Sequence, residues 1–214
     1  MDWYLPAFYA FLEELGYTVV INRVSRYVID VNRGENERCG SYQTNLVYTT
    51  TTQGEEMYRI PLTAKETEER IKNYYAPYHN ALIGAIREKL KRYTRIYLLD
   101  LHSFGLDCEA DIILGNDFGK TCSNGIISFL KDKFGENGFL PVENIPFSGA
   151  YITKNYCRQF SCCETVQIEL SYRAYIQNRV FESGEENPVI EQEYFKNQQK
   201  KMAAVYSSFR EYLR

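Results

Sequence analysis

The chain has 214 residues, 44% of them hydrophobic and 25% charged, with 25 Lys and Arg against 28 Asp and Glu for a net charge of -3. That is enough chain and apolar mass for one domain with a core of its own. The slight acidity and the lack of a basic stripe argue against nucleic acid. No apolar run approaches a membrane span and no basic-then-apolar leader opens the chain, so a cytoplasmic protein with no nucleic-acid or membrane partner is expected.

Trp3 to Leu15 places Leu5, Phe8, Phe11, Leu12 and Leu15 at helical spacing and stops at Gly16, which predicts a helix with a glycine C-cap. Tyr17 to Ile21, β-branched and apolar, predicts a strand. Ser25 to Val31 alternates like a strand and ends in Asp30-Val31-Asn32-Arg33-Gly34, a turn from which Asn32 and Arg33 project. Glu35 to Ile60 is long and polar, an excursion with at most a short edge strand or hairpin; loops of that length are usually functional. Thr63 and Glu66 form a capping box that opens a helix running to about Tyr93, kinked or broken at Pro77. His79 then lies on a helix flank, in a structural role.

The run Ile96-Tyr97-Leu98-Leu99-Asp100-Leu101-His102-Ser103 reads as a buried central strand ending in polar residues. Chemistry in open α/β sheets sits beyond the carboxyl ends of the strands, which is where His102 falls. Ala110 to Leu114 predicts a second buried strand. Gly115-Asn116-Asp117-Phe118-Gly119-Lys120-Thr121 then leads into a helix through Phe134. A Walker loop needs four residues between its first Gly and Gly-Lys-Thr; three stand here, so the amides would aim differently and nucleotide binding is a minor alternative. Phe147 to Thr153 is a glycine turn opening a short helix, and Thr165 to Ser171 alternates as a strand carrying Glu169. A carboxylate buried unpaired there would cost several kcal/mol, so Glu169 is either paired or kept for acid–base work. Ser183 to Pro188 is a loop and Val189 to Leu213 a surface-laid helix. Alternating strands and helices predict α/β with a mostly parallel sheet. The six cysteines, Cys39, Cys108, Cys122, Cys157, Cys162 and Cys163, form no Cys-x-x-Cys pair and are expected as free thiols.

Three polar sets call for one explanation: Arg26 with Asn32-Arg33, His102 at a strand end, and Glu169 on a late strand. A metal hydrolase supplies it. The histidine helps hold zinc, the carboxylate moves a proton from water to the leaving amine, and arginine with asparagine grips an acidic substrate. Each piece also has a bland structural reading.

Asp2-Trp3, Ser25-Arg26-Tyr27-Val28-Ile29-Asp30-Val31-Asn32-Arg33 and Tyr75-x-Pro77-Tyr78-His79-x-Ala81-Leu82 follow one another in order. After them come Asp100-Leu101-His102-Ser103, Leu114-Gly115-Asn116-Asp117, Gly149-Ala150-Tyr151-Ile152-Thr153 and Gln167-Ile168-Glu169-Leu170. From Asp2 to about Ile176 this set resembles the N-formylglutamate amidohydrolase family, a branch of the zinc carboxypeptidase-like (phosphorylase/hydrolase-like) fold. The resemblance implies a three-layer αβα domain over residues 1–214 with a mostly parallel mixed sheet. It implies zinc held by His102 and Asp2, Glu169 as general base and acid, and Asn32, Arg33 and Arg26 on the substrate carboxylate, with Tyr151 lining the pocket. The implied reaction is hydrolysis of a small N-acylated acidic amino acid to glutamate and the short acid. Family members carry a His-Ser-Gly segment ahead of the first helix whose histidine is a further ligand. It is missing here, so the expectation is an N-terminally incomplete domain, or a catalytically inactive binding module of the same fold.

Overall fold

The computed structural model describes residues 2–36, 38–42, 44–176 and 188–214. Two short helices, α1 (Leu5–Phe8) and α2 (Phe11–Glu14), stand where one is predicted. The bend between them seats Phe8 against Tyr175 and Phe195 while Tyr9 and Phe11 both meet Tyr206. Gly16 caps the pair as expected. At φ +79° it lets its own amide and that of Tyr17 turn back to the carbonyls of Glu13 and Leu12.

The two early strands do not form. Val19 packs on one core while Val20 and Val24 pack on another, so burial accounts for these apolar residues without strand pairing. Asn22 bonds both the amide and the carbonyl of Val24, and Val28 and Ile29 turn back to the Ser25 carbonyl. Among the described residues the polar excursion holds a two-residue parallel pair, β1 (Cys39–Gly40) and β2 (Val47–Tyr48), and an isolated antiparallel bridge between Thr50 and Glu56.

Thr63 and Glu66 make the capping box that opens α3 (Ala64–Arg70). A π turn over Ile71–Tyr75 follows, and then α4 (Ala76–Leu90). Pro77 does not break this helix. Its nitrogen cannot donate to the Asn73 carbonyl and its ring crowds that group, and the widened turn just ahead of it relieves both problems.

The sheet has the order β3 (Ile96–Phe104), β6 (Cys163–Ser171), β4 (Ile112–Gly115), β5 (Pro141–Glu143). β3 pairs with β6 and β4 with β5 in parallel, whereas β4 and β6 are antiparallel, so the sheet is mixed. On one face Ile112, Leu114, Val166, Ile168 and Leu170 meet α1, α2, α5 (Asn124–Glu136) and α7 (Gln192–Tyr212). On the other, Ile96 and Leu98 meet the π turn, α4 and α6 (Tyr151–Gln159). These are the three layers expected. The C-terminal helix is a core element, not surface-laid: Phe195, Met202, Val205, Tyr206 and Phe209 are buried along it. Residues 183–187 of the predicted loop lie outside the described residues. All six thiols are free.

Candidate functional site

β3 and β6 run side by side in a register that sets Asp100 against Gln167 and His102 against Glu169. Alternate residues of a strand share a face, and partners on adjacent strands point the same way. Two dipeptide steps, Asp100 to His102 and Gln167 to Glu169, therefore make one polar tile toward the carboxyl ends of both strands. Glu169 is held within it, its Oε1 accepting from the Gln167 amide at 2.7 Å, and Gln167 is itself oriented by the Ala150 N–H at 2.8 Å.

His102 lies between two carboxylates. Its Nε2 stands 3.0 Å from Asp100 Oδ1 and its Nδ1 3.6 Å from Asp2 Oδ2, while the other oxygen of Asp2 accepts from the Ser103 amide at 2.7 Å. Burial disfavours an imidazolium here, but Asp100 and then Asp2 outweigh it and lift the His102 pKa well above its ordinary value. Burial likewise works against the Asp2 charge; the neighbouring His102 imidazolium, then Arg26 and the Ser103 amide, nevertheless hold its carboxyl well below the usual range. Glu169 goes the other way. Burial, with Asp2 and Asp100 adding to it against the pull of His102 and Arg26, raises its pKa to about 7.

The Asn32-Arg33 turn docks onto this tile. The Ile152 N–H donates to Asn32 Oδ1 at 2.7 Å, which fixes the amide so that Nδ2 donates to Asp100 Oδ2 at 3.1 Å. α6 can come this close because Gly115 passes Gly149: a Cβ on Gly115 would meet the Gly149 nitrogen at 2.6 Å, and Gly149 itself sits at φ +108°. Asp30 ties the turn together from beneath. Its Oδ1 accepts from the Asn32 amide at 2.9 Å, its Oδ2 accepts from the Tyr48 hydroxyl, and the same oxygen lies 3.7 Å from Arg26 and 3.9 Å from Arg33 Nε. That Nε is buried with no hydrogen-bond partner among the described residues, while Nη1 donates to the Asn32 carbonyl at 2.9 Å.

Asp2, His102, Glu169 and Asn32 are thus brought together, with Arg26 and Arg33 beside them on Asp30. Tyr151 lies behind the turn, where its ring closes on Gly34 and stands edge-on to His79 at 5.8 Å. Sequence reasoning passed over Asp100, Gln167 and Asp30. The signal for the first two is plain in retrospect: each stands two residues before a candidate on the same strand, hence on the same face. His79 bonds Tyr156 and the Val31 carbonyl, in keeping with a structural role. The Gly115–Thr121 loop is no phosphate cradle. Asn144 Oδ1 takes the amides of Asn116 and Phe118, Asn116 Oδ1 takes that of Gly119, and antiparallel β4 delivers the loop to Thr165, away from the tile.

A family model described as N-formylglutamate amidohydrolase matches residues 1–176, which span the whole tile and the docked turn. The chain belongs to the N-formylglutamate amidohydrolase family. Curated relatives include N-formylglutamate deformylase of Pseudomonas aeruginosa, 27% identical over 191 residues that cover 83% of this chain and 71% of that protein. The deformylase of Pseudomonas putida is also 27% identical, over 188 residues covering 82% and 70%. Among solved structures, the N-formylglutamate amidohydrolase of Ralstonia eutropha JMP134 superposes with a TM-score of 0.83 at 23% identity, over 97% of this chain and 81% of that one. The gene product Atu2144 of Agrobacterium tumefaciens superposes at 0.66 with 17% identity, over 98% and 79%. These two likenesses bear on the fold.

The family resemblance implies zinc, and the donor chemistry can be tested against it. At 3.6 Å, His102 Nδ1 and Asp2 Oδ2 are beyond a good hydrogen bond. That spacing is close to the separation of about 3.3 Å between two donors on a tetrahedral ion with bonds of about 2.0–2.1 Å. Asp100 on the far ring nitrogen is the orienting carboxylate such histidines use. Binding at Nδ1 needs a neutral His102, and displacing its proton leaves Asp2 and Asp100 on either side of the ring to face the cation. Two donors therefore fit; among the described residues no group of three or more His, Cys, Asp or Glu side chains gathers as a metal site.

Proposed function

We propose that this chain hydrolyses the amide bond of N-formylglutamate, or of a closely similar N-acylated acidic amino acid, with a divalent metal ion, zinc foremost, in the site. The observation that carries this reading is the pairing of Glu169 with His102 across the strands, beside a buried Arg33 Nε–H that has no acceptor among the described residues. The names of the curated relatives support the same substrate.

The chain's residues divide the work as follows. Arg33 receives a carboxylate of the substrate, which supplies the acceptor its Nε lacks, and Arg26 adds positive charge on the same side. Asn32, locked by Asp100 and Ile152, fixes where that carboxylate sits relative to Glu169. A water oxygen adds to the formyl carbon, Glu169 takes its proton, and the C–N bond breaks. Glu169 then returns the proton to the departing nitrogen, leaving formate and glutamate. A group with a pKa of about 7 is suited to both halves of that transfer at neutral pH. A bound divalent ion, held by His102 and Asp2, would supply Lewis acidity and a more acidic water.

The second reading is a module that binds acidic amino-acid derivatives without hydrolysing them; it draws on the two-donor set described above. Formate release from N-formylglutamate by the zinc-loaded protein separates the two. Turnover that is lost in Glu169→Gln supports the hydrolase. Ligand binding with zinc present and no formate supports the module.

A further inference from the structure

The Tyr75-x-Pro77-Tyr78-His79 segment takes no part in the reaction just described, yet two of its side chains close on the substrate-binding turn from behind. The Tyr75 hydroxyl donates to the Arg33 carbonyl at 2.9 Å, and His79 Nε2 lies 3.0 Å from the Val31 carbonyl. The two carbonyls flank Asn32. A carbonyl only accepts, so the His79 proton is on Nε2, and Nδ1 accepts from the Tyr156 hydroxyl at 2.6 Å. The Tyr75 and His79 rings pack on each other with centroids 4.1 Å apart. Residues four apart on a helix stand one above the other, and the π turn ending at Tyr75 sets their rotation.

We propose that Tyr75 and His79 are positioning residues for substrate recognition: by gripping the carbonyls on either side of Asn32 they hold the Asn32 amide and the Arg33 guanidinium at the spacing the substrate carboxylate requires. Burial, which pushes the His79 pKa down to about 4, keeps the ring in the neutral form this arrangement uses. The proposal rests on the reading of Arg33 as the carboxylate's partner.

The test is a double-mutant cycle with N-formylglutamate on the metal-loaded protein, using Tyr75→Phe, which removes one hydroxyl and keeps the ring, in wild-type and Arg33→Ala backgrounds. Tyr75→Phe should raise KM about tenfold with kcat changed less than about threefold, and the effect should vanish in the Arg33→Ala background. His79→Gln, which keeps a donor for the Val31 carbonyl, should lose less affinity than His79→Leu. An unchanged KM for Tyr75→Phe, or an equal rise in both backgrounds, overturns the proposal. Wild type that binds N-formylglutamate without turnover overturns the hydrolase reading alone, and the same cycle read as Kd still decides the positioning role. Wild type that does not bind it overturns both.

Discussion

Glu169 and His102 are cross-strand partners in the parallel pair β3–β6, and each is preceded two residues earlier by the polar side chain that holds it: Gln167 for Glu169, Asp100 for His102. A sheet face normally given to apolar packing carries four polar groups here. Each has a partner on the same face or on the turn docked above it, which is how a fold tolerates such a tile.

Glu169→Gln should abolish turnover by about 10²–10⁴-fold, since it removes the proton carrier while keeping shape. It should also stabilise the metal-free protein. A carboxyl raised from 4.5 to about 7 binds its proton more tightly folded than unfolded, so stability is greatest below pH 4.5 and falls as pH rises to about 7. The gain from the substitution above pH 7 is about 3 kcal/mol, read by urea unfolding of both forms. Equal stability across that range would contradict the buried-carboxyl description.

His79 predicts the opposite slope. Its pKa is lowered from 6.5 to about 4, so its contribution is complete above pH 6.5 and is lost as pH falls through about 4. Wild type should lose about 3 kcal/mol over that window relative to His79→Gln. Parallel pH profiles for the two proteins would show that the ring is not held neutral.

How much of this was open to sequence reading follows from what each signal depends on. The long strands β3 and β6 and the helix caps at Gly16 and Thr63 are local: an apolar run, a glycine, a Thr with Glu three later. Tyr17–Ile21 carries the same β-branched signal and forms no strand; its valines are partly covered by packing on the two cores instead. The short strand β5 carries no signal of its own length. For the site, His102, Glu169, Asp2 and Asn32 could be named individually. Asp30 and Asp100 acquire their roles only through partners 18 and 68 residues away, Tyr48 and Asn32, and no spacing in the chain announces those contacts.

Arg33→Ala should weaken binding of an acidic ligand by about 2–5 kcal/mol, measured by titration calorimetry with glutamate or N-formylglutamate. Arg33→Lys should not restore it, because an ammonium lacks the planar fork that a carboxylate matches. Full affinity in Arg33→Lys would mean that charge alone is read.

Asp100→Asn should lower zinc affinity about 10–100-fold, by loosening the ring that Nε2 anchors and the Asn32 amide together. Competition against a chromophoric chelator reads this directly. Zinc affinity should also rise with pH, because binding must displace the proton that Asp100 and Asp2 favour on His102. An Asp100→Asn protein that keeps wild-type zinc affinity would remove Asp100 from the metal account.

The central claim is that the imidazole of His102, the carboxyl of Glu169 and the guanidinium of Arg33 serve one reaction. Formate released from N-formylglutamate, assayed with the zinc-loaded wild type beside Glu169→Gln and Arg33→Ala, tests it most directly. The account predicts multiple turnovers for wild type, none above background for Glu169→Gln, and a raised KM for Arg33→Ala. Wild type carrying stoichiometric zinc and releasing no formate, or Glu169→Gln turning over at the wild-type rate, would contradict it.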